Sequence, residues 1–327
     1  MRLIFPTLVL LCLFPVSALT QPSPPPAPEK EAAIAAASCG GARDVGKGEQ
    51  VPVVAEPAPV SLLGGKDGKV GALSFDWGVQ LSARDPRIGG IVGLTFDDRL
   101  GIVAITDQGN WIVLDMQQGH TPKNVGISAM RGVGGAPAAI LGAGQAQLVS
   151  VPGRNMVARY DLRDCGLNAT AVPIAQTNVG VQAMATVAYG YTLFVGASNG
   201  GTVYVVRDFN GLDPARPITL DQHDLKDIPG YTLVSATGPD VIVPFNLLAL
   251  WQGPNSQTVI QAFSLPHWAD VPVDFATPPQ VLAHVPLALD AILAGYDRDT
   301  NSVSMLLATR AKPGEPTYLF SLTWTPP

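Results

Sequence analysis

The chain has 327 residues, of which 47% are hydrophobic and only 14% charged, with 34 glycines, 30 prolines and a formal net charge of −6. It has no Lys/Arg cluster and no basic stripe, which argues against a nucleic-acid binder. Low charge with abundant Gly and Pro suits many short buried strands joined by tight turns.

Residues 1–18 read as a secretory signal: Arg2 gives the positive end, Leu3 to Val16 the apolar core, and Val16-Ser17-Ala18 a small-residue cleavage site. The run is shorter than the roughly 20 residues a membrane helix needs, and Leu11 before Cys12 does not suit a lipoprotein site. No later segment has the length and low charge to span a bilayer. The expectation is therefore export to the periplasm or secretion, as a monomer without a membrane span. Residues 19–50 are dominated by Pro, Ala, Gly and charge and read as a disordered linker, because such a segment buries too little apolar surface to offset its ordering entropy. Residues 51–327 then form one globular domain, long but acceptable for a single all-β unit.

Beyond the signal two cysteines remain, Cys39 and Cys165. An even pair in an exported chain permits a disulfide that would pin the linker to the domain, and two free thiols are the alternative.

From Gly89 to Met116 three apolar runs, IVGLTF, LGIVAIT and NWIVLDM, are separated by Asp97-Asp98-Arg99 and Asp107-Gln108-Gly109. Such runs bounded by Asp and Gly predict antiparallel strands joined by hairpins. Related units start at Gly93, Ala138, Gln182, Val243 and Asp290, the fourth looser and preceded by an extra loop. A period of about 45 residues with several strands per unit predicts a β-propeller of four-stranded antiparallel blades. Five units are visible, and Val60 to Leu81 would complete a sixth blade with strands from both chain ends. A β-sandwich is the competing all-β fold, but it does not explain the period.

Chemistry is sparser. Gly196-Ala197-Ser198-Asn199-Gly200 matches G-x-S-x-G, with Asp270 and His284 following in the order of a hydrolase triad. A strand rather than a helix is predicted after it, so a hairpin turn is the simpler account. Asp297, Asp299 and Asn301 alternate as in a calcium loop, but the following glycine and the closing glutamate are missing. His120, His223, His267 and His284 show no metal-binding spacing. Gly132-Val133-Gly134-Gly135 reads as a turn, not a phosphate cradle. Trp77, Trp111, Trp251 and Trp324 suit packing between blades, and Trp268, beside His267, would line a loop pocket if it is not core.

The run from Val79 to Met116 resembles the opening of the bacterial esterase-like, phytase-like propeller domain. Gly89-Gly90-Ile91-Val92-Gly93-Leu94 stands where that family has a Gly-Gly-Leu-Ser-Gly-Leu type run, and Thr106-Asp107-Gln108-Gly109 where it has Ser-Asp-Arg-Gly. A weaker likeness at later units carries it over most of residues 60–327. The resemblance implies a carboxylate-lined site that holds Ca²⁺ or Mg²⁺ and orients water for ester hydrolysis. Most of the acids are replaced. Ala136-Pro137-Ala138 stands for Asp-x-Glu, Ser150-Val151-Pro152 for Ser-Phe-Glu, Val181-Gln182-Ala183-Met184 for Leu-Glu-Ala-Leu, and Ala308-Thr309-Arg310-Ala311 for Ser-Asp-Asp-Asn. Asp107 and Asp290 remain as candidate metal or catalytic residues, with Ser198 as an alternative nucleophile; both aspartates also suit turn and cap roles. Two functions follow. One is a binding or scaffold module that contacts a small molecule or protein at the propeller mouth, with its site acids eroded. The other is a Ca²⁺-assisted phosphoester or carboxylic ester hydrolase.

Overall fold

The computed structural model describes residues 33, 36–39 and 46–326, except 117–120, 144–145, 178, 188–190, 197–201, 207–220, 225–227, 239–245, 265–277 and 313. Four short strands come first: β1 (Glu49–Pro52), β2 (Val54–Pro57), β3 (Lys69–Val70) and the longer β4 (Leu73–Ser82). Then follow β5 (Ile91–Asp97), β6 (Gly101–Thr106), β7 (Asn110–Leu114) and β8 (Asn124–Ala129), the hairpins foreseen around Asp97-Asp98-Arg99 and Asp107-Gln108-Gly109. The second unit is β9 (Ala139–Ala143), β10 (Ala146–Val151), β11 (Met156–Tyr160) and β12 (Val172–Gln176). The third is β13 (Val181–Val187), β14 (Tyr191–Gly196), β15 (Thr202–Val206) and β16 (Asp221–Asp224). The fourth is β17 (Thr232–Thr237), β18 (Leu247–Gln252), β19 (Thr258–Phe263) and β20 (Gln280–Val285), and the last is β21 (Ala291–Asp297), β22 (Ser302–Ala308) and β23 (Thr317–Trp324).

Each unit is an antiparallel meander, and the described residues form five sheets. Their first strands stand side by side around an axis: β5 neighbours β9, β9 neighbours β13, β13 neighbours β17, β17 neighbours β21, and β21 returns to β5. That closed ring of inner strands defines an all-β propeller, and it excludes two stacked sheets.

Among the described residues the expected sixth blade does not form. The last unit supplies only three strands, and β4 from the N-terminal side pairs with β23, from Thr317 opposite Leu81 to Thr323 opposite Ser74. The stretch Val60–Leu81 therefore supplies a missing strand rather than a missing blade. The fourth unit also differs from expectation. Its inner strand is Thr232–Thr237, and the run near Val243 that marked its start leads into the second strand. Thr232, Ser235 and Thr237 dilute the apolar signal of TLVSAT, whereas LLALW beside it is conspicuous.

Blades are held together by large side chains at their interfaces. Trp111 of β7 meets Tyr160 of β11 edge-on, with ring centroids 5.1 Å apart and an interplanar angle of 87°. Trp251 packs with Ala183 and Ala185 of the preceding blade, and Trp324 with Leu248, Leu250 and Ile260 of the fourth. All three tryptophans are buried, as expected of inter-blade packing. Trp268 lies outside the described residues. Outer strands β1, β2 and β12 carry Pro52, Pro57 and Pro173, and proline, which has no N–H to give to a ladder, is tolerated at such edges.

Part of the presumed linker is docked. Cys39 is bonded to Cys165 across 126 residues of sequence, with Cα atoms 4.9 Å apart, so the permitted disulfide is formed. Residues 36–39 are helical rather than free. Among the described residues no helix is long and apolar enough to cross a membrane.

Ring closure gives a direct expectation. Phe320 of β23 is fully buried and lies opposite Gly78 of β4. Phe320→Ala should cost about 3–5 kcal/mol in urea unfolding; a loss below about 1 kcal/mol would mean that the β4–β23 seam is not part of the cooperative core.

Candidate functional site at the propeller mouth

All inner strands begin at the same end of the ring, and the two candidate acids, Asp107 and Asp290, lie there. Asp107 follows β6, and its N–H donates to Gly90 O, just before β5, at 2.9 Å. Asp290 immediately precedes β21, and its N–H donates to Ala308 O at 2.9 Å. Gly90 N–H donates in turn to Ala311 O at 2.7 Å, which ties the fifth blade to the first. Gly90 has φ +77°, and a side-chain Cβ there would lie 2.3 Å from Asp107 Oδ1. Only glycine lets the Asp107 carboxylate lie against the backbone at this point.

Arg310 joins the two acids. Its Nε and Nη2 donate to Asp107 Oδ2 at 3.0 and 2.7 Å, and its backbone N–H donates to Asp290 Oδ2 at 3.3 Å. The guanidinium is about half exposed and the Asp107 side chain about one quarter. Asp290 retains 8% of its surface. Burial pushes the Asp290 carboxyl above its usual range and the Asp107 charge adds to that, while the Arg310 N–H and charge pull the other way. Arg310 thus links the two acids across the ring seam, with its guanidinium on Asp107 and its backbone N–H on Asp290.

Local sequence explains the placement. Gly109 at φ +77° and its N–H to Thr106 O at 2.9 Å close a tight turn. The Asn110 N–H donates to Thr106 Oγ1 at 3.1 Å. Thr106 thus serves the turn, and the Asp107 side chain is left to meet Arg310. Asp97, in the equivalent turn at the other end, behaves differently: its Oδ1 accepts the N–H groups of Arg99 and Leu100, both at 3.0 Å. It is a turn residue.

Gln182 lies where β13 shifts register between Val181 and Ala183, at the mouth end of the third blade. The same shift recurs at Val92 of β5 and Val234 of β17. Gln182 is thus on the same end of the ring as Asp107 and Asp290, but in a different blade. Ser198 lies outside the described residues, as do Asp270, His120 and His267. The strand β15 follows it and pairs antiparallel with β14, so the strand-to-helix context of a nucleophile elbow is absent. His284 is exposed on the outermost strand of the fourth blade. Asp297 is consumed by its own hairpin: its Oδ1 accepts Asp299 N–H at 2.9 Å and its Oδ2 the Thr300 hydroxyl at 2.8 Å. These bonds hold its carboxyl below the usual range, and they make a turn rather than a calcium loop. Among the described residues no group of three or more His, Cys, Asp or Glu could hold a metal ion. Sequence reasoning brought Asp107 and Asp290 forward but passed over Arg310; its signal was a cation standing where further acids were expected.

Fold and mouth together define the class, a β-propeller with a charged axial end. No family model matches the chain, and no curated protein matches it. Among solved structures it is similar to the RRP9 WD40 repeats, at 9% identity and TM-score 0.41, covering 83% of this chain and 99% of that one. It is similar also to the Myxococcus xanthus glutaminyl cyclase, at 9% identity and TM-score 0.44, covering 84% and 98%. A structure described as U3-55K matches at 9% identity and TM-score 0.40, covering 82% and 98%. The fold assignment rests on the strand topology described above.

The upward shift at Asp290 has a measurable consequence. A carboxyl whose folded pKa is raised contributes stability below its unfolded value, about 3.9, and loses it as pH rises through the folded value. Asp290→Asn carries no such loss. The variant should therefore gain on wild type in urea unfolding as pH rises from about 4 toward neutrality. A stability difference that does not change over that window would show that the buried charge is fully compensated.

Proposed function

We propose that this chain is an exported propeller of the esterase-like phytase type, in the periplasm or secreted, that acts as a monomeric binding or scaffold module. Its contact surface is the mouth around Asp107, Asp290 and Arg310, where a small molecule or a protein segment docks. One observation carries the reading: Arg310 binds Asp107 Oδ2 through two nitrogens and Asp290 through its backbone. The Arg310 guanidinium neutralises Asp107 where a divalent cation would sit in a hydrolytic site. It offers no open coordination position and does not lower the pKa of a bound water. The signal-like residues 1–18 support export, the resemblance noted in the sequence supports the propeller type, and the replaced acids support the non-catalytic role.

A second reading keeps the chain a Ca²⁺-assisted ester or phosphoester hydrolase. What favours it is that Asp107 and Asp290 stand together at one end of the ring.

Assays of the purified protein on aryl esters and aryl phosphates, with and without EDTA, separate the two. The binding reading expects no turnover above background in any condition. Turnover that EDTA removes, and that Asp107→Ala or Asp290→Ala abolishes, would establish the hydrolase. Arg310→Ala should change stability by less than about 1 kcal/mol, because its ion pair is half exposed.

A further inference from the structure

The described residues before β3 touch three blades. On the second blade Ser38 and Thr170 bond both ways: Thr170 N–H donates to Ser38 O at 2.7 Å, and Ser38 Oγ donates to Thr170 O at 3.1 Å. Asp161 N–H donates to Ser38 Oγ at 3.0 Å. Beside them Cys39 is bonded to Cys165. Cys165 is fully buried with Leu162, Leu167 and Ala169, while Cys39 is only partly buried.

On the first blade Lys47 pairs with Asp115 at 2.7 Å. β1 then pairs with β8, from Glu49 opposite Ile127 to Pro52 opposite Asn124. The approach is close: a Cβ at Gly126 would lie 1.7 Å from Lys47 O. Glu49 pairs with Arg87 at 2.8 Å. On the fifth blade β2 pairs with β4, from Val54 opposite Ser82 to Pro57 opposite Val79.

This strap has little apolar grip. In β1 only Val51 is buried, and β2 buries no residue, with Val54 61% exposed. One buried valine, with Val53 and Ala55 packed only partly against the core, is a small gain against the ordering of two four-residue strands and their approach. Exposed ion pairs such as Lys47–Asp115 add little. The Cys39–Cys165 bond upstream adds a covalent restraint to these strand pairings.

We propose that Cys39–Cys165 is an oxidation-dependent latch that keeps β1 on the outer edge of the first blade. A dithiol reductant opens it: thiolate attack at the sulfur of Cys39, the less buried of the two residues, expels the Cys165 thiolate, and the reductant's second thiol then releases Cys39. Two electrons and two protons pass to the cysteines, and the reductant leaves as its cyclic disulfide. Ser38 and Cys39 then detach from the second blade, β1 frays, and β8 is left with unpaired backbone groups. An open edge of this kind pairs with any extended strand presented to it. The latch thus makes an edge of the ring available only under reducing conditions, independently of what the mouth binds.

Hydrogen exchange on the full chain, oxidised and after dithiol treatment, tests this. Amides of β1 and β8 should exchange at least tenfold faster after reduction, while those of the inner strands β5 and β9 stay protected. Cys39→Ser should reproduce the reduced pattern and show no further response to dithiol. Unchanged protection of β1 and β8 after complete reduction would overturn the latch. A uniform rise in exchange across all blades would overturn it as well, because the bond would then hold the whole ring rather than one edge. Should Cys39→Ser not fold, dithiol treatment of the folded wild type decides alone.

Discussion

The ring is one strand short at the C-terminus, and the structure depends on how that gap is filled. A blade buries both faces only when it has neighbours on both sides, so an open arc of blades leaves two apolar faces in water. β4 supplies the missing strand by pairing with β23, so the last blade is built from both ends of the chain. Leu319, Phe320 and Leu322 of β23 are fully buried. Leu319 packs with residues of the first blade, and Phe320 and Leu322 with residues of the fourth. The same closure brings residues 308–311 beside Gly90 and Asp107, which are far away in sequence. Without it there would be no contact between Arg310 and Asp107.

Electrostatics at the mouth follow from that closure. Two carboxylates held together by strand geometry repel one another, and the more buried of them, Asp290, resists ionisation. A cation paired with Asp107 and near Asp290 eases both effects. Here it is a side chain from the closing blade, so it arrives with the fold and needs no ion from solution. Because Arg310 is half exposed, its charge also faces the solvent at the axial end. A ligand there meets a guanidinium edge flanked by carboxylate, with Gln182 on the same end in another blade.

Much of the fold was legible because hairpin chemistry is local. Asp107-Gln108-Gly109 and Asp97-Asp98-Arg99 announce their turns, and the spacing of apolar runs announces a propeller. The fourth inner strand was not legible, because Thr232, Ser235 and Thr237 break its apolar pattern while packing still buries Leu233 and Ala236. Nor was the blade number, since a strand borrowed from the N-terminal side looks in sequence like the start of a further blade. At the mouth, Asp107 and Asp290 were named from the family resemblance. Arg310 was not, because its role lies in a contact between residues 203 positions apart. The two cysteines were countable, but the grip of Ser38 on Thr170 and Asp161 is a tertiary fact.

The central claim is that Arg310 fills the cation position between Asp107 and Asp290. Calcium titration by calorimetry, on wild type and on Arg310→Ser, tests it most directly. The account expects no saturable heat from wild type at millimolar calcium and weak, saturable binding once the guanidinium is gone. Saturable calcium binding by wild type that Asp107→Ala removes would contradict it.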